Sequence, residues 1–218
     1  MFKGSARARH RVQFTLPHYM AAAEYARAVI QIERENHGAP FGPFWDRITR
    51  SAISCVLSLA AGLESHVNEL FVDRAQTFPS LDSKLMDELW RSYERESILF
   101  KYKVALRLRT GSDHLILSRY PGQAVDLLID LRNALVHFKP EWSDESDEHS
   151  DLSDRMRHKF TPSPWLSTEQ LFPRAWQSAS CMRWALRACL DFTEEFEKLA
   201  QLSERHPIRR TLEPVITA

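Results

Sequence analysis

The chain has 218 residues, of which 29 are lysine or arginine and 29 are aspartate or glutamate. This length suits one well-buried core, so we expect a single domain. The balanced charge disfavours a protein that binds nucleic acid through a wide basic surface, but it leaves room for a small local basic site. Because the chain contains only six glycines and many helix-forming residues, we expect an all-α fold.

The sequence carries no signal for secretion or for membrane insertion. Residues 1–17 are basic but lack the apolar stretch of a secretory signal, and no run of about 18 apolar residues could span a bilayer. Cys55, Cys181 and Cys189 are odd in number and lack metal-binding CxxC spacing, so we expect reduced, buried thiols. These features predict a cytoplasmic protein with no membrane partner, no bound metal and no other cofactor.

Apolar residues recur at helical spacing through most of the chain after residues 1–17, which we expect to be flexible. The pattern predicts an up-and-down bundle of four to five long helices over residues 18–204, the third of them open to an interruption. The predicted helices are His18–Asn36, Pro43–Ala75, Leu81–Arg109, Pro121–Phe138 and Pro173–Leu202. The second, fourth and fifth have the most continuous apolar stripes, so we expect them to form the core.

Two segments lack a helical pattern. Residues 143–155 are acidic and rich in serine, which predicts a solvated loop inserted into the bundle. Residues 205–218 contain two prolines, and we expect a C-terminal tail that frays.

The fourth predicted helix has two apolar lines with polar residues between them. When side chains are placed at about 100° per residue, the main stripe faces the core; it consists of Ala124, Leu127, Leu128, Leu131, Leu135 and Phe138. A polar strip on the opposite side contains Asp126, Asp130, Asn133 and His137, and a second apolar line beside Arg132 contains Val125, Ile129 and Val136. We therefore expect Asn133 and His137 to point away from the core. The second line would pack on another element of the chain or on a second protomer.

The segment LRNALVH, residues 131–137, resembles the motif of HEPN domains. In that motif an arginine, usually followed by a polar residue, precedes a histidine by a few positions. The helix Ser51–Phe71, which contains Glu64, is similar to an earlier HEPN helix. The segments LFKYKVALRLRTG and WALRACLDFTEEF are similar to the HEPN helices on either side of the motif. The resemblance extends from Trp45 to Leu202.

This resemblance implies a bundle that forms homodimers through the helix 121–138, and for many members a metal-independent endoribonuclease. It would make His137 the general acid or base, and Arg132 the group that holds the scissile phosphate. Asn133 would orient the histidine or contact phosphate, and Glu64 would position Arg132. An imidazole suits proton transfer near neutral pH, and a guanidinium can bind phosphate through two hydrogen bonds. The expected products are a 2′,3′-cyclic phosphate and a 5′-hydroxyl.

Other interpretations remain open at this point. Arg107, Arg109, Arg119 and Lys139 could extend an RNA-binding surface near the motif, or they could simply be solvated. A role as a toxin with an antitoxin partner, or in phage defence, follows from the resemblance alone. A HEPN-like module without catalytic activity could instead bind a partner protein or RNA, or serve only for dimerisation. Arginine and histidine also stabilise the negative end of a helix dipole in proteins with no site there.

Overall fold

The computed structural model describes residues 11–112, 115, 117–140, 149–203 and 206–218. Within these ranges the chain is helical and contains no β-strand, which confirms the all-α fold. The helices are α1 (Thr15–Glu35), α2 (Trp45–Val72), α3 (Arg74–Thr77), α4 (Ser83–Tyr93), α5 (Ile98–Thr110), α6 (Gly122–Val136), α7 (Ser150–Met156), α8 (Ala179–Leu199) and α9 (Ile208–Ile216), with a π-helical turn at Leu171–Ala175. None of the helices in the described ranges has the length and apolarity needed to cross a bilayer.

Side-chain caps determine where several helices begin. Asp82, Ser97 and Ser178 each accept a hydrogen bond from a backbone N–H of the following turn, at 3.0–3.4 Å. These caps satisfy N–H groups that have no partner within the helix. The cap at Ser97 explains why the third predicted helix is divided into α4 and α5. Gly111, with a φ of 72°, ends α5 in the left-handed region that favours glycine.

The helices α2 and α8 lie at the centre of the bundle. α2 packs on α1, α5, α6 and α8, and α8 also contacts α1, α5, α6 and α9. The three helices expected to form the core, now α2, α6 and α8, therefore pack on one another as predicted. α1 lies especially close to α2 at Gly62, where a Cβ atom would come within 3.1–3.3 Å of the Tyr19 ring. Glycine at this position lets the two helices approach.

The three cysteines are free and buried, as the sequence predicted. Burial raises the pKa of the Cys55 thiol to about 12, and it also raises the pKa values of Cys181 and Cys189 well above their ordinary value. Thiols in this state remain protonated and unreactive at neutral pH.

Two helices occur where the sequence predicted none. α7 lies in the acidic segment and buries Ser153 and Met156; residues 143–148 of that segment are outside the described ranges. α9 replaces the expected fraying tail, because it buries Ile208, Leu212 and Val215 and packs on α1 and α8. Short helices are marginal in isolation and depend on packing for their stability. The expectations of an unstructured acidic loop and a fraying tail were therefore wrong for Ser150–Met156 and Ile208–Ile216.

Glu69 of α2 joins three separate parts of the chain. Its Oε1 accepts hydrogen bonds from the backbone N–H groups of Phe14 at 2.9 Å and Thr15 at 3.1 Å, where α1 begins. Its Oε2 lies 2.9 Å from Nε2 of His206, just before α9. Burial opposes ionisation of Glu69, but the hydrogen bonds from His206, Thr15 and Phe14 outweigh it and lower its pKa to about 2. One ionised carboxylate thus holds the starts of α1 and α9 on α2.

We expect Glu69→Gln to lower the free energy of unfolding by about 1–3 kcal/mol at neutral pH. An unfolded glutamate has a pKa near 4.3, above the folded value, so ionisation of Glu69 stabilises the fold at higher pH. That contribution is lost as the pH falls from about 4.3 towards 2, and the difference between wild type and variant should shrink over this range. Urea unfolding at several pH values measures this difference in unfolding free energy. Glu88→Gln, on the exposed side of α4, is the control. A difference that stays constant down to the lowest pH would contradict the assignment.

Candidate functional site

The predicted site lies at the C-terminal end of α6. The helix ends at Val136, and the backbone N–H of His137 donates to the carbonyl of Asn133 at 2.9 Å. This bond places Asn133 and His137 one helical turn apart. His137 is exposed, and Arg132 and Asn133 are half-buried. The polar residues of the motif therefore lie outside the core, as the helical pattern predicted.

Asn133 holds the arginine of the motif. Arg132 Nη1 donates a hydrogen bond to Asn133 Oδ1 at 2.9 Å. The amide thus orients the guanidinium, whereas the sequence had suggested an amide that orients the histidine or contacts phosphate. A guanidinium has five N–H donors, so this bond leaves others for a bound oxyanion.

The apolar residues of α6 outside its main stripe become more exposed towards the C-terminal end of the helix. Val125 of the second apolar line is buried within the chain and Ile129 is half-buried, but Val136 is 51% exposed. Phe138, predicted to lie in the core, is 43% exposed. It stacks on His149 with ring centroids 5.5 Å apart. The helix ends two residues before Phe138, so this side chain no longer follows the main stripe. Val136 and Phe138 therefore leave exposed apolar surface on both sides of His137.

The polar strip of α6 is partly covered by α7. Arg155 Nη2 lies 2.6 Å from Asp130 Oδ2 and 3.7 Å from Asp126 Oδ2. Burial and the Asp130 carboxylate raise the pKa of Asp126, and Arg155 and Lys103 offset part of this rise. Arg155 was not identified from the sequence, because its segment looked like a solvated loop. The only signal was the pair of aspartates one turn apart on α6, which would favour a nearby cation.

Glu64 contacts Lys101 instead of Arg132. Lys101 Nζ, from α5, donates to Glu64 Oε1 at 3.0 Å and to Asn68 Oδ1 at 3.1 Å. α2 does pack on α6, which was the condition for Glu64 to reach the motif, but this carboxylate faces α5. The lysine is buried, and a buried ammonium needs a carboxylate partner. Glu64 therefore does not position Arg132 as predicted but forms a structural ion pair with the lysine.

The four proposed RNA-binding residues are dispersed. Arg109 donates to the carbonyls of Thr77, Ala200 and Gln201 at 3.0, 3.1 and 3.4 Å, so it binds helix ends instead of lying free for RNA. Arg107 is exposed on α5, and Arg119 is exposed before the start of α6. The length of α6 places Arg119 about 20 Å from His137. Lys139 is exposed and lies two residues after His137 in the sequence, so of these four residues it is the one next to the motif.

Because Arg109 joins helix ends, we expect Arg109→Ala to lower stability and not RNA affinity. The substitution leaves three carbonyl groups without their charged donor, which costs about 1–3 kcal/mol of unfolding free energy. Thermal and urea unfolding measure the loss, and Arg119→Ala at an exposed position is the matched control. Weaker RNA binding by a variant of unchanged stability would contradict this role.

No family model, curated protein or solved structure matches this chain when it is compared with known proteins. The likeness to HEPN domains therefore rests on the motif and on the order of the helices around it. The described residues contain no group of three or more His, Cys, Asp or Glu side chains placed to bind a metal ion.

Proposed function

We propose that this chain is a HEPN-type endoribonuclease that cleaves RNA without a metal ion, at the exposed end of α6. The observation that carries the proposal is the arrangement of Arg132, Asn133 and His137. The histidine is accessible at the helix end, and the arginine five residues before it is held by the asparagine at 2.9 Å. An accessible imidazole can supply proton transfer, and a positioned guanidinium at the same end of the helix can bind phosphate.

In the proposed reaction, the 2′-oxygen of a ribose attacks the neighbouring phosphorus. His137 in its neutral form accepts the 2′-hydroxyl proton, and Arg132 binds the phosphate oxygens on which negative charge increases. The bond between phosphorus and the 5′-oxygen breaks, and the leaving oxygen takes a proton from the imidazolium of the second protomer's histidine. The products are a 2′,3′-cyclic phosphate and a 5′-hydroxyl, and no co-reactant is consumed.

A second copy of the chain would supply the second histidine. Val136 and Phe138 are the exposed apolar residues that flank His137, and apolar side chains of this kind favour a protein interface. Arg155 binds the aspartates of the polar strip in the middle of α6, and Val125 is buried near its start. We therefore propose that the dimer contact, predicted over 121–138, involves the C-terminal turn of α6 and residues 137–140.

We expect His137→Ala to reduce RNA cleavage by about 100- to 10,000-fold, the range that general acid–base catalysis contributes. Purified protein would be incubated with end-labelled RNA in the presence of EDTA, and the cleaved ends tested for a cyclic phosphate. His37→Ala, an exposed histidine on the connector before α2, is the matched control and should retain activity. Equal cleavage by wild type and His137→Ala would remove the catalytic assignment.

Absence of cleavage on any RNA would favour the other candidate function. The same exposed patch would then serve a HEPN-like module that binds a partner protein or RNA without turnover. An RNA-binding module without turnover would show two results. Wild type would bind RNA more tightly than Arg132→Ala, and neither protein would cleave it.

We expect Val136→Asp to shift the protein from dimer to monomer and to lower cleavage with it, because a charge in an apolar contact must be desolvated. Sedimentation velocity over a range of concentrations measures the assembly. Leu85→Asp places the same charge at an exposed leucine of α4 and should change neither property. A wild-type protein that is monomeric and active would disprove the shared site.

A further inference from the structure

A small cavity lies between the C-terminal end of α8 and the start of α9. Its volume is about 270 Å³, slightly below the range of about 300–1,000 Å³ that is usual for sites of drug-sized ligands. The space holds about nine water-sized groups, so a ligand there would have fewer than about nine non-hydrogen atoms. Leu190, Leu202 and Ile208 line the cavity with apolar side chains. These walls suit a short hydrocarbon chain.

A buried carboxylate also lines this cavity. Glu197 of α8 is 8% exposed, and the described residues provide no hydrogen bond to it. Its Oε1 lies 3.4 Å from Nε2 of His66, which is longer than the usual N–H···O distance of about 2.7–3.2 Å. A neutral His66 leaves the whole negative charge on Glu197, whichever ring nitrogen carries the proton. A buried carboxylate without a nearby cation is costly, so this site favours a bound positive charge.

The other charged side chains that line the cavity are bound elsewhere or lie in water. Arg209 Nε donates to Oε1 of Glu194 at 2.7 Å. His206 Nε2 lies 2.9 Å from the ionised glutamate of α2 that joins the starts of α1 and α9. Lys198 is exposed, so its ammonium group can remain hydrated. Among the described residues, no lysine or arginine forms an ion pair with Glu197.

We propose that this cavity binds a small organic cation, a primary ammonium group on a short alkyl chain. The ammonium group donates to the Glu197 carboxylate and balances its charge. Thr193, which also lines the cavity, donates its hydroxyl proton to the carbonyl of Cys189 at 2.8 Å. Its oxygen can therefore accept a second ammonium hydrogen. The alkyl chain packs on the apolar walls. This ligand site is separate from the motif on α6 and does not depend on RNA cleavage there.

Three probes with the same four-carbon chain test the charge preference on the wild-type protein. They are n-butylammonium, 1-butanol and butanoate, whose polar ends are positive, neutral and negative. Titration followed by methyl NMR at neutral pH gives each affinity, and shifts of the Leu202 and Ile208 methyl signals locate the site. We expect n-butylammonium to bind at least about tenfold more tightly than 1-butanol, and butanoate to bind most weakly. Equal affinities, a preference for butanoate, or no binding of any primary alkylammonium from ethyl to hexyl would overturn the proposal.

Variants assign the charge preference to Glu197. Glu197→Gln preserves the shape of the side chain but removes its charge, so n-butylammonium should lose about 10- to 100-fold in affinity while 1-butanol binds as before. Glu195→Gln, a half-buried neighbour on α8, should bind both probes like wild type. Leu202→Trp fills the cavity and should abolish binding of both, which locates the site even if Glu197→Gln does not fold. Unchanged n-butylammonium affinity in folded Glu197→Gln or in Leu202→Trp would contradict the site.

Discussion

The arrangement of the bundle depends on how α2 pairs the polar side chains on its inner surfaces. Between residues 64 and 69 this helix carries two glutamates, a histidine and an asparagine, and each has a partner on another part of the chain. The partners are Lys101, Tyr102, Glu197, His206 and the backbone at the start of α1. A buried polar group that loses its partner costs about 1–3 kcal/mol. The neighbouring helices therefore cannot shift along α2 without losing several of these pairs together.

The same requirement limits which part of α6 remains accessible. The main apolar stripe of α6 packs in the core, and the start of its second apolar line is buried within the chain. Arg155 of α7 binds the aspartates of the polar strip. The last turn of the helix and the residues after it remain exposed, with His137 between Val136 and Phe138. The negative end of the helix dipole favours cationic side chains there.

The prediction succeeded where a pattern within one segment was sufficient and failed where a contact between segments decided the result. α2 and α8 follow from uninterrupted apolar spacing, and the outward position of His137 follows from helical geometry. α9 has the same spacing in Ile208, Leu212 and Val215, but the segment is too short to indicate a helix without the surface on which it packs. Glu64 was a candidate because of the resemblance to a HEPN helix, and Arg109 because it was expected to lie near the motif. Their partners, Lys101 and the helix-end carbonyls, are all more than 30 residues away in the sequence.

The sequence by itself determined the all-α class, the core helices, the buried thiols and the exposed position of the motif. Each of these depends on helical periodicity or on the apolar character of residues close together in the chain. Only the tertiary structure decided that Asn133 holds Arg132, that Arg155 covers half of the polar strip, and that Glu64 serves Lys101. It also brought His66 and Glu197 face to face from helices far apart in the chain. The physical reason is that burial makes a polar group require a partner, but the packing of the helices selects which partner it receives.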